Sequence, residues 1–286
     1  MNYFSFHTHS DFCDGKTSME EVCKRAIELG LSAVGFSSHA PVPFKTKWAM
    51  QFDDVIAYAS EVKRCKALFA DEIKIYAALE ADYIPVGNSV SYDAWRQMAD
   101  LDYIIGSVHL VANPSVPDEL WFLDGPAENY EKGINACFGG DVKKAVGQFY
   151  KQIQDMVKFQ KPDVIAHMDK VVMNNKGRFY KGDEDWYLDL VEETLRVVAQ
   201  YGTIVEVNTR GIYRGKYHTF FPNEQIIKRC VDIGIPLTVS VDAHHPDELT
   251  AEFETAVLVV EKLGGKDLAY FNDGKWEQLP ISDVLK

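Results

Sequence analysis

Short apolar segments alternate along this chain with longer segments in which apolar residues recur at helical spacing. Seven of the short segments predict β-strands, at residues 3–6, 33–38, 73–83, 101–110, 163–169, 203–209 and 236–244. Most of them are apolar throughout, which is typical of parallel strands buried on both faces. Strict alternation of strands and helices also indicates a parallel sheet. We therefore predict one domain spanning residues 1–286, folded as a closed or nearly closed (β/α)7 barrel.

Capping residues indicate where helices begin and end. Thr17 and Glu20 have the spacing of a capping box, which predicts a helix start, and Gly30 predicts the C-terminal end of that helix. Helical patterns continue at residues 52–70, 92–99, 141–160, 184–201, 225–234 and 247–263. The sequence NDG at 272–274 predicts a hairpin turn. Residues 111–130 have the least regular pattern, so we predict a long connection there, of the kind that is more often functional or an insertion.

Histidines follow the predicted strands with unusual regularity. Six of the eight histidines lie at or just after a strand end: His7, His9, His39, His109, His167 and His244. Three carboxylates lie at strand ends or in the first βα loop: Asp14, Glu80 and Asp242. Because functional groups of such barrels gather at the C-terminal ends of the strands, we expect these side chains to lie together. Imidazole and carboxylate groups are common ligands of divalent metal ions.

The number of candidate ligands indicates more than one ion. A divalent ion takes about four to six ligands, and catalytic sites leave one position for water or substrate. The full set exceeds the need of one ion but is enough for two or three when carboxylates bridge them. Two neighbouring ions can lower the pKa of a shared water and stabilise both oxygens of a phosphoryl transfer. The pattern therefore predicts metal-assisted hydrolysis with a metal-bridging hydroxide as the nucleophile.

Charge and composition narrow the class of partner. The formal net charge of −13 counts against a nucleic-acid surface, which usually needs a basic stripe. It does not exclude a small phosphorylated substrate, because bound cations can reverse the local field. Five scattered cysteines without a paired motif are typical of reduced thiols in a cytoplasmic protein. No signal-peptide pattern is apparent and no apolar segment reaches membrane-spanning length, so we expect no membrane association, and the oligomeric state is left open.

Six short motifs resemble those of one known family. In chain order they are HTHSDFCDG (7–15), SSHA (37–40), ALEADY (78–83), GSVH (106–109), AHMD (166–169) and SVDAH (240–244). Together they resemble the motifs of the polymerase-and-histidinol-phosphatase (PHP) family. The chain length, Cys13 and the segment EVNTRGIYR (206–214) are most similar to its histidinol-phosphate phosphatase branch. The resemblance implies a distorted, TIM-like (β/α)7 barrel with its metal site at the C-terminal ends of the strands. It also implies a metal-dependent phosphomonoesterase that hydrolyses L-histidinol phosphate to L-histidinol and phosphate in histidine biosynthesis.

The same resemblance divides the candidate ligands among three ions. The first ion would be held by His7, His9, Glu80 and Asp242. Glu80 would bridge to a second ion completed by His109 and His167. The third would be held by Asp14, His39 and His244. Many histidinol phosphatases have Cys-Pro-His-Gly after the first histidine pair, so Asp14 is similar to the broader family instead. Such ligand sets accept zinc, iron or manganese.

Phosphate binding and proton transfer need further groups. Arginine binds phosphate oxygens through its planar fork, and three arginines lie in loops on the predicted catalytic side: Arg178, Arg210 and Arg214. Asp242, His244 or a metal-bound water would protonate the leaving alkoxide. Asp82 or Asp11 would receive the positive groups of a histidinol ester.

Two alternatives remain beside this interpretation. One is a PHP phosphoesterase acting on nucleotides, oligonucleotide ends or phosphotyrosine. The other is a non-catalytic metal-binding module that serves as a partner surface. Glu206, which is predicted to point from the sixth strand into the barrel, fits a structural ion pair as well as a catalytic role.

Overall fold

Seven parallel strands form the central sheet of this protein. The computed structural model describes residues 1–85 and 89–286. Within these residues the strands are β1 Phe4–Thr8, β2 Ala33–Phe36, β3 Lys74–Asp82, β4 Tyr103–Ser107, β5 Leu110–Asn113, β6 Val116–Phe122, β7 Val164–Ile165, β8 Ile204–Asn208, β9 Leu237–Ser240, β10 Asp267–Asn272 and β11 Lys275–Pro280. The large sheet has the order β1-β2-β3-β4-β7-β8-β9, and every neighbouring pair is parallel. These are the seven strands that the apolar segments predict.

The first and last strands of this sheet approach each other. Thr8 and Ala243 form an isolated parallel bridge, and the backbone amide of His9 donates to the Ala243 carbonyl at 2.8 Å. The sheet is therefore a nearly closed barrel, as the sequence predicts. The side chains of its strands are almost entirely buried, so the apolar runs reflect strands covered on both faces.

Helices surround the barrel. Their bounds are α1 Met19–Glu28, α2 Val55–Leu68, α3 Tyr92–Ala99, α4 Ala127–Phe138, α5 Val142–Gln160, α6 Asp185–Tyr201, α7 Arg210–Tyr213, α8 Glu224–Asp232, α9 Phe253–Lys262 and α10 Ile281–Val284. Across the described ranges, no helix is both long enough and apolar enough to cross a membrane. The predicted helical segments match α1 to α3, α5, α6 and α8.

The start of α1 differs by one residue from the prediction. Ser18, not Thr17, is the N-cap, and the reciprocal capping box joins Ser18 to Glu21. The Thr17 carbonyl instead accepts the amide of Asp11 and so belongs to the preceding loop. Gly30 follows the helix at φ +74°, a conformation that a residue without Cβ adopts readily.

The segment 111–130 is more regular than its sequence indicates. Strands β5 and β6 pair as an antiparallel hairpin, and α4 begins soon after. Strand β6 is half exposed and contains Pro117, Asp118 and Glu119, so it has no apolar run by which to recognise it. The predicted final helix at 247–263 is also shorter, because Glu252 at φ +57° separates a 3-10 turn at Pro246–Glu248 from α9.

A second hairpin packs against the barrel at the N-terminal ends of the strands. Asp273 and Gly274 form its turn, as the NDG sequence predicts, and β10 pairs with β11 along their whole length. Trp276 of this hairpin packs edge-to-face against Phe6 and Tyr103, which belong to β1 and β4. This aromatic contact lies below the strand ends, so the opposite end of the barrel is the one left for the site.

Candidate metal centre

All of the predicted ligand side chains lie together at the C-terminal ends of the barrel strands. Seven of them are buried: His7, His9, His39, Glu80, His109, His167 and Asp242. Asp14 and His244 are half-buried and lie at the outer edge of the group. Strand ends from six βα units therefore deliver one continuous cluster, as their placement in the sequence predicts.

Glu80 is at the centre of this cluster. Its Oε2 lies 2.9 Å from His39 Nδ1 and 3.3 Å from His7 Nε2. Its Oε1 lies 3.0 Å from His167 Nε2 and 3.6 Å from His109 Nε2. One carboxylate thus faces imidazoles on both sides, which is the geometry that a bridging ligand requires.

Two further groups extend the cluster beyond Glu80. Asp242 Oδ1 lies 3.3 Å from His9 Nε2, and the ligand atoms of His7, His9 and Asp242 lie within 4.8 Å of one another. Asp14 Oδ1 lies 3.3 Å from His244 Nε2, and these two group with His9 and His39. Glu80, His39 and His109 form a third group. The groups overlap through shared histidines, so the division among individual ions stays a prediction.

Several atoms of the cluster that could bind a metal make no hydrogen bond with acceptable geometry. Within the described parts of the chain, these buried atoms are His7 Nε2, His9 Nε2, His39 Nδ1, Asp14 Oδ1 and Asp242 Oδ1. A buried polar atom without a partner costs free energy, so a native protein rarely leaves five in one place. Nitrogen and carboxylate lone pairs directed at a common space fit divalent metal ions. The residues present therefore fit such ions.

Buried carboxylates and a carbonyl hold three of the histidine rings from behind. Glu206 Oε1 lies 2.5 Å from His7 Nδ1, and its Oε2 accepts the amide of His167 at 2.9 Å. Asp82 Oδ2 lies 3.0 Å from His109 Nδ1, and the Asp242 carbonyl lies 3.0 Å from His244 Nδ1. Such partners fix the tautomer and the direction of a metal-binding ring. Glu206 is thus a structural partner of the site.

The placement of Asp82 is not the one proposed from the sequence. Its Oδ1 accepts the amide of His109 at 2.7 Å while its Oδ2 faces the His109 ring, so both oxygens serve this histidine. Asp11 is exposed and does not line the cavity beside the cluster. Neither carboxylate lines the cavity, and a substrate-binding role for them stays a prediction.

The electrostatics of the cluster favour ionised carboxylates. Burial raises the pKa of Glu80, but the surrounding imidazoles, His39 first, outweigh this effect and hold the pKa well below its ordinary value. The pKa of Asp242 is lowered well below its ordinary value for the same reason, with His7 and Arg210 as the main partners against burial. Burial, then His244 and His39, lower the pKa of His9, which favours the neutral ring that binds metals.

Two candidate ligands have strained backbone conformations. His167 has φ +28° and Asp242 has φ +53°, and each lies two residues beyond the last residue of a short strand. Residues with a side chain rarely adopt this region and do so mainly at functional sites, at a cost of about 1–3 kcal/mol each. At Asp242 the backbone turns just beyond β9 and Val241, and this turn brings the carboxylate to the cluster.

A cavity of about 270 Å³ opens onto the cluster. Besides candidate ligands it is lined by Trp48, Phe122, Asp124, Lys170, Arg210 and Lys216. Trp48 stacks beside Phe122 with ring centroids 6.0 Å apart and meets His39 edge-to-face at 5.0 Å. The β5–β6 hairpin supplies Phe122 and leads into Asp124. Between them, the Leu123 amide donates to the His109 carbonyl and so holds this part of the chain beside the cluster. This is the place of the 111–130 segment in the site.

Three cations face the cavity. Lys170 Nζ lies 3.0 Å from Asp124 Oδ2, and Lys216 Nζ lies 3.9 Å from Asp124 Oδ1. Arg210 donates to the Asp242 carbonyl at 2.7 Å. Sequence reasoning missed Asp124, Lys170 and Lys216. Lys170 comes three residues after His167, so the strand-end rule that identified the histidines could have included it.

The other two predicted phosphate-binding arginines lie elsewhere. Arg178 donates to the Asn174 carbonyl at 3.1 Å and lies 3.6 Å from Glu131. Arg214 pairs with Glu248 at 3.1 Å and is half exposed. Neither lines the cavity, whereas Arg210 does. Phosphate binding by Arg178 and Arg214 stays a prediction.

Comparison with known proteins agrees with this geometry. The model of the PHP domain family matches residues 5–210 of the chain. A Deinococcus radiodurans protein named "probable histidinol-phosphatase" is 27% identical over 270 residues, covering 92% of this chain and 95% of that protein. A Schizosaccharomyces pombe protein of the same name is 25% identical, covering 94% and 90%.

A solved structure shares the fold. It is the crystal structure of histidinol phosphate phosphatase from Lactococcus lactis, complexed with zinc, L-histidinol and phosphate. It is 20% identical to this chain with a TM-score of 0.67, covering 96% of this chain and 99% of the other. The nearly closed seven-stranded barrel is therefore a known architecture.

Proposed function

The chain belongs to the PHP domain family, and from this premise we propose that it is a metal-dependent phosphomonoesterase that hydrolyses L-histidinol phosphate. The observation that carries the proposal is that one cavity opens onto the cluster of predicted ligands and is also lined by three cations and an aromatic wall. The first group suits metal ions, the second a phosphoryl group and the third a flat ring.

The substrate assignment is supported by the relatives. Both curated relatives are named histidinol-phosphatases and align with nearly the whole chain. The Lactococcus lactis structure holds L-histidinol and phosphate together with zinc. A histidinol ester has an aliphatic phosphoester at one end and a planar imidazole at the other, which matches a cavity that is cationic on one side and aromatic on another.

Two or three divalent ions are proposed, with zinc, iron and manganese as candidates. The first would be held by His7, His9, Glu80 and Asp242, the second by Glu80, His109 and His167, and the third by Asp14, His39 and His244. When bound, such ions lower the pKa of a water molecule and offset the negative charge of a phosphoryl group. The half-buried position of Asp14 and His244 makes the third site the most accessible to solvent.

Lys170 and Arg210 would bind the phosphoryl oxygens. Burial lowers the pKa of Lys170, but Asp124 and then Asp242 outweigh it, so its pKa lies above the ordinary value and the ammonium is charged at neutral pH. Arg210 is fixed by its bond to the Asp242 carbonyl and by a 3.0 Å bond to the Tyr213 hydroxyl. Because both cations are held by the protein, little ordering is needed when phosphate enters.

Trp48 and Phe122 would receive the alcohol part of the ester. Their nearly parallel rings, 13° apart, form a continuous apolar surface beside His39. An imidazole ring packs well against such a surface through offset or edge-to-face contacts. This wall favours a ring-bearing alcohol over a small aliphatic one.

Steady-state kinetics with metal-loaded protein test the proposal. We expect kcat/KM for histidinol phosphate to exceed that for nucleoside monophosphates, a 5′-phosphorylated oligonucleotide and phosphotyrosine, and turnover to stop with chelator and return with added metal. Equal or higher kcat/KM for one of the other esters would overturn the substrate assignment. No turnover of any ester by metal-loaded protein would instead support the non-catalytic module.

A further inference from the structure

Hydrolysis of an alkyl phosphate needs a proton at the leaving oxygen, because an alkoxide is a strong base. The sequence suggests Asp242, His244 or a metal-bound water as the donor, and the two side chains are also candidate metal ligands. A lone pair bound to a metal ion cannot hold a transferable proton at the same atom. Another group at the cavity must then supply the proton, an inference that rests on the proposed function.

The lining residues outside the ligand set leave few candidates. Asp124 carries no proton at neutral pH, since burial raises its pKa but Lys170 and His109 outweigh this and hold the pKa well below its ordinary value. Arg210 cannot be deprotonated in a protein. The Trp48 indole and the Phe122 ring offer no acid. Only Lys170 and Lys216 remain.

Lys170 is committed to its ion pair. Its side chain is 5% exposed and its ammonium lies 3.0 Å from Asp124, so loss of its proton would leave a buried carboxylate without its partner. The carboxylates around it raise its pKa. Lys170 is therefore suited to hold charge against phosphate and poorly suited to release a proton.

Lys216 differs from Lys170 in each of these respects. Its side chain is 40% exposed at the cavity, and its Nζ lies 3.9 Å from Asp124, beyond hydrogen-bond distance. Its backbone is fixed, because the amide of Lys216 donates to the Gly211 carbonyl at 2.9 Å at the end of α7. The structure thus presents an ammonium that is anchored at its base and only loosely paired with Asp124 at its tip.

Charges of both signs face Lys216 at the cavity. They come from Asp124 after β6, Lys170 after β7, Arg210 of α7 and Asp242 after β9. Burial lowers the pKa of Lys216, Asp124 raises it, and the two neighbouring cations lower it again, so the pKa lies below its ordinary value. The group remains a cation that gives up a proton more readily than a free lysine.

We propose that Lys216 is the general acid that protonates the leaving alcohol. Water forms the new bond to phosphorus and passes one proton to solvent, and the bond between phosphorus and the ester oxygen breaks with its electron pair passing to that oxygen. The oxygen takes a proton from Lys216 Nζ, and the products are histidinol and inorganic phosphate. The neutral amine then regains a proton from solvent.

Leaving-group dependence tests this role. In Lys216→Arg, which keeps the charge but cannot donate at neutral pH, we expect kcat for histidinol phosphate to fall about 10²- to 10⁴-fold. For p-nitrophenyl phosphate, whose leaving anion needs no proton, we expect kcat within about threefold of the wild type, since the cation is retained. In the wild type, kcat for histidinol phosphate should fall as pH rises through the pKa of Lys216, and p-nitrophenyl phosphate should lack that decline.

The outcomes separate three explanations. Equal losses with both esters in Lys216→Arg would make Lys216 a phosphate-binding or structural residue and overturn the proposal, as would full activity with both. If the wild type hydrolyses p-nitrophenyl phosphate but not histidinol phosphate, the proposed function fails. The contrast between alkyl and aryl esters is then measured with β-glycerophosphate instead.

Lys228→Arg is the matched control, because Lys228 is exposed on α8, pairs with Asp232 and does not line the cavity. It should leave both rates unchanged. Metal content and thermal unfolding of both variants are measured alongside, so that a folding defect in Lys216→Arg cannot pass for lost chemistry. Lys216→Met then removes the charge as well, and we expect it to lose p-nitrophenyl phosphate turnover in addition.

Discussion

Glu206 Oε1 lies 2.5 Å from Nδ1 of His7, and both side chains are completely buried. The contact places the Nδ1 proton of His7 on the side of Glu206, which leaves Nε2 directed at Glu80 and Asp242. Burial lowers the pKa of His7, but Glu206, Glu80 and Asp242 together outweigh it and raise the pKa well above its ordinary value. A metal cation bound at Nε2, in place of a second ring proton, would likewise face Glu80 and Asp242.

Glu206→Gln removes the negative charge behind His7 while keeping its shape. We expect metal affinity to fall about 10- to 100-fold, because outer carboxylates orient the ring and raise its basicity. Competition with a fluorescent chelator measures the change. Glu193→Gln, on the exposed face of α6, is the control and should bind metal normally. Unchanged affinity in Glu206→Gln would show that His7 needs no such partner.

Glu80→Ala removes the carboxylate that faces imidazoles on both sides. We expect loss of phosphatase activity to background and loss of more than one bound metal, because its two oxygens face different histidines. Elemental analysis of the purified variant gives the metal content. His7→Ala should also abolish activity but should retain metal near His109 and His167. A Glu80→Ala variant with normal metal content and rate would exclude a bridging role.

Asp124→Asn tests the ion pair beside the cavity. Lys170 would lose its nearest counter-charge while remaining buried, and breaking such a pair costs about 3–5 kcal/mol. We expect a lower free energy of unfolding in urea and a higher KM, since Lys170 would hold its charge less firmly. Asp118→Asn, on the exposed part of β6, should change neither quantity. Wild-type stability in Asp124→Asn would mean that the pair contributes nothing net.

Arg210→Ala and Arg214→Ala compare a cavity-lining arginine with its neighbour. Arg210 lies against the Asp242 carbonyl at the cavity, whereas Arg214 is half exposed and pairs with Glu248. We expect KM for histidinol phosphate to rise about tenfold or more in Arg210→Ala, consistent with a charged hydrogen bond of about 1.5–3 kcal/mol. Arg214→Ala should change KM little and leave the metals in place. The reverse order would support Arg214 as the phosphate ligand, as the sequence predicts.

The clustering of the candidate ligands could be predicted from the sequence, because all of them except Asp14 lie at strand ends. Parallel strands of a barrel meet at one end, so a residue such as His109 that follows an apolar run is placed by topology before any side-chain detail is known. Glu80 needed only the same rule. The nearly closed barrel follows from the alternation of apolar strands and helices for the same reason.

The phosphate side of the cavity could not be read in this way. Lys216 reaches the cavity because a short helix and a tight turn follow β8, and Asp124 because a half-exposed hairpin folds back onto His109. Neither of these two segments has an apolar pattern in the sequence that predicts its position. Arg178 and Arg214 also lie in loops on the catalytic side of the predicted barrel. Arg178 instead donates to a backbone carbonyl and Arg214 pairs with Glu248, contacts that only the folded chain shows.

Gly35→Ala probes the packing beneath the site. A Cβ at this position would lie 1.8 Å from the hydroxyl oxygen of Tyr103 and 3.4 Å from the Cα of Phe6. The Tyr103 hydroxyl cannot easily move, because it is buried and donates to the Phe6 carbonyl at 2.6 Å. We expect Gly35→Ala to lower the free energy of unfolding by about 1–3 kcal/mol, the usual cost of overpacking a core. Because Tyr103→Phe deletes the clashing oxygen, the double variant should lose less than the two single losses combined, as a double-mutant cycle in urea would measure.

Gly147→Ala is the control, with an expected effect of opposite sign. Its Cβ would meet nothing closer than 4.0 Å within α5, so the better helix former should raise the free energy of unfolding by about 0.5–1 kcal/mol. Additive losses of unfolding free energy for the Gly35 and Tyr103 variants would mean that backbone strain, and not this contact, excludes a side chain at position 35.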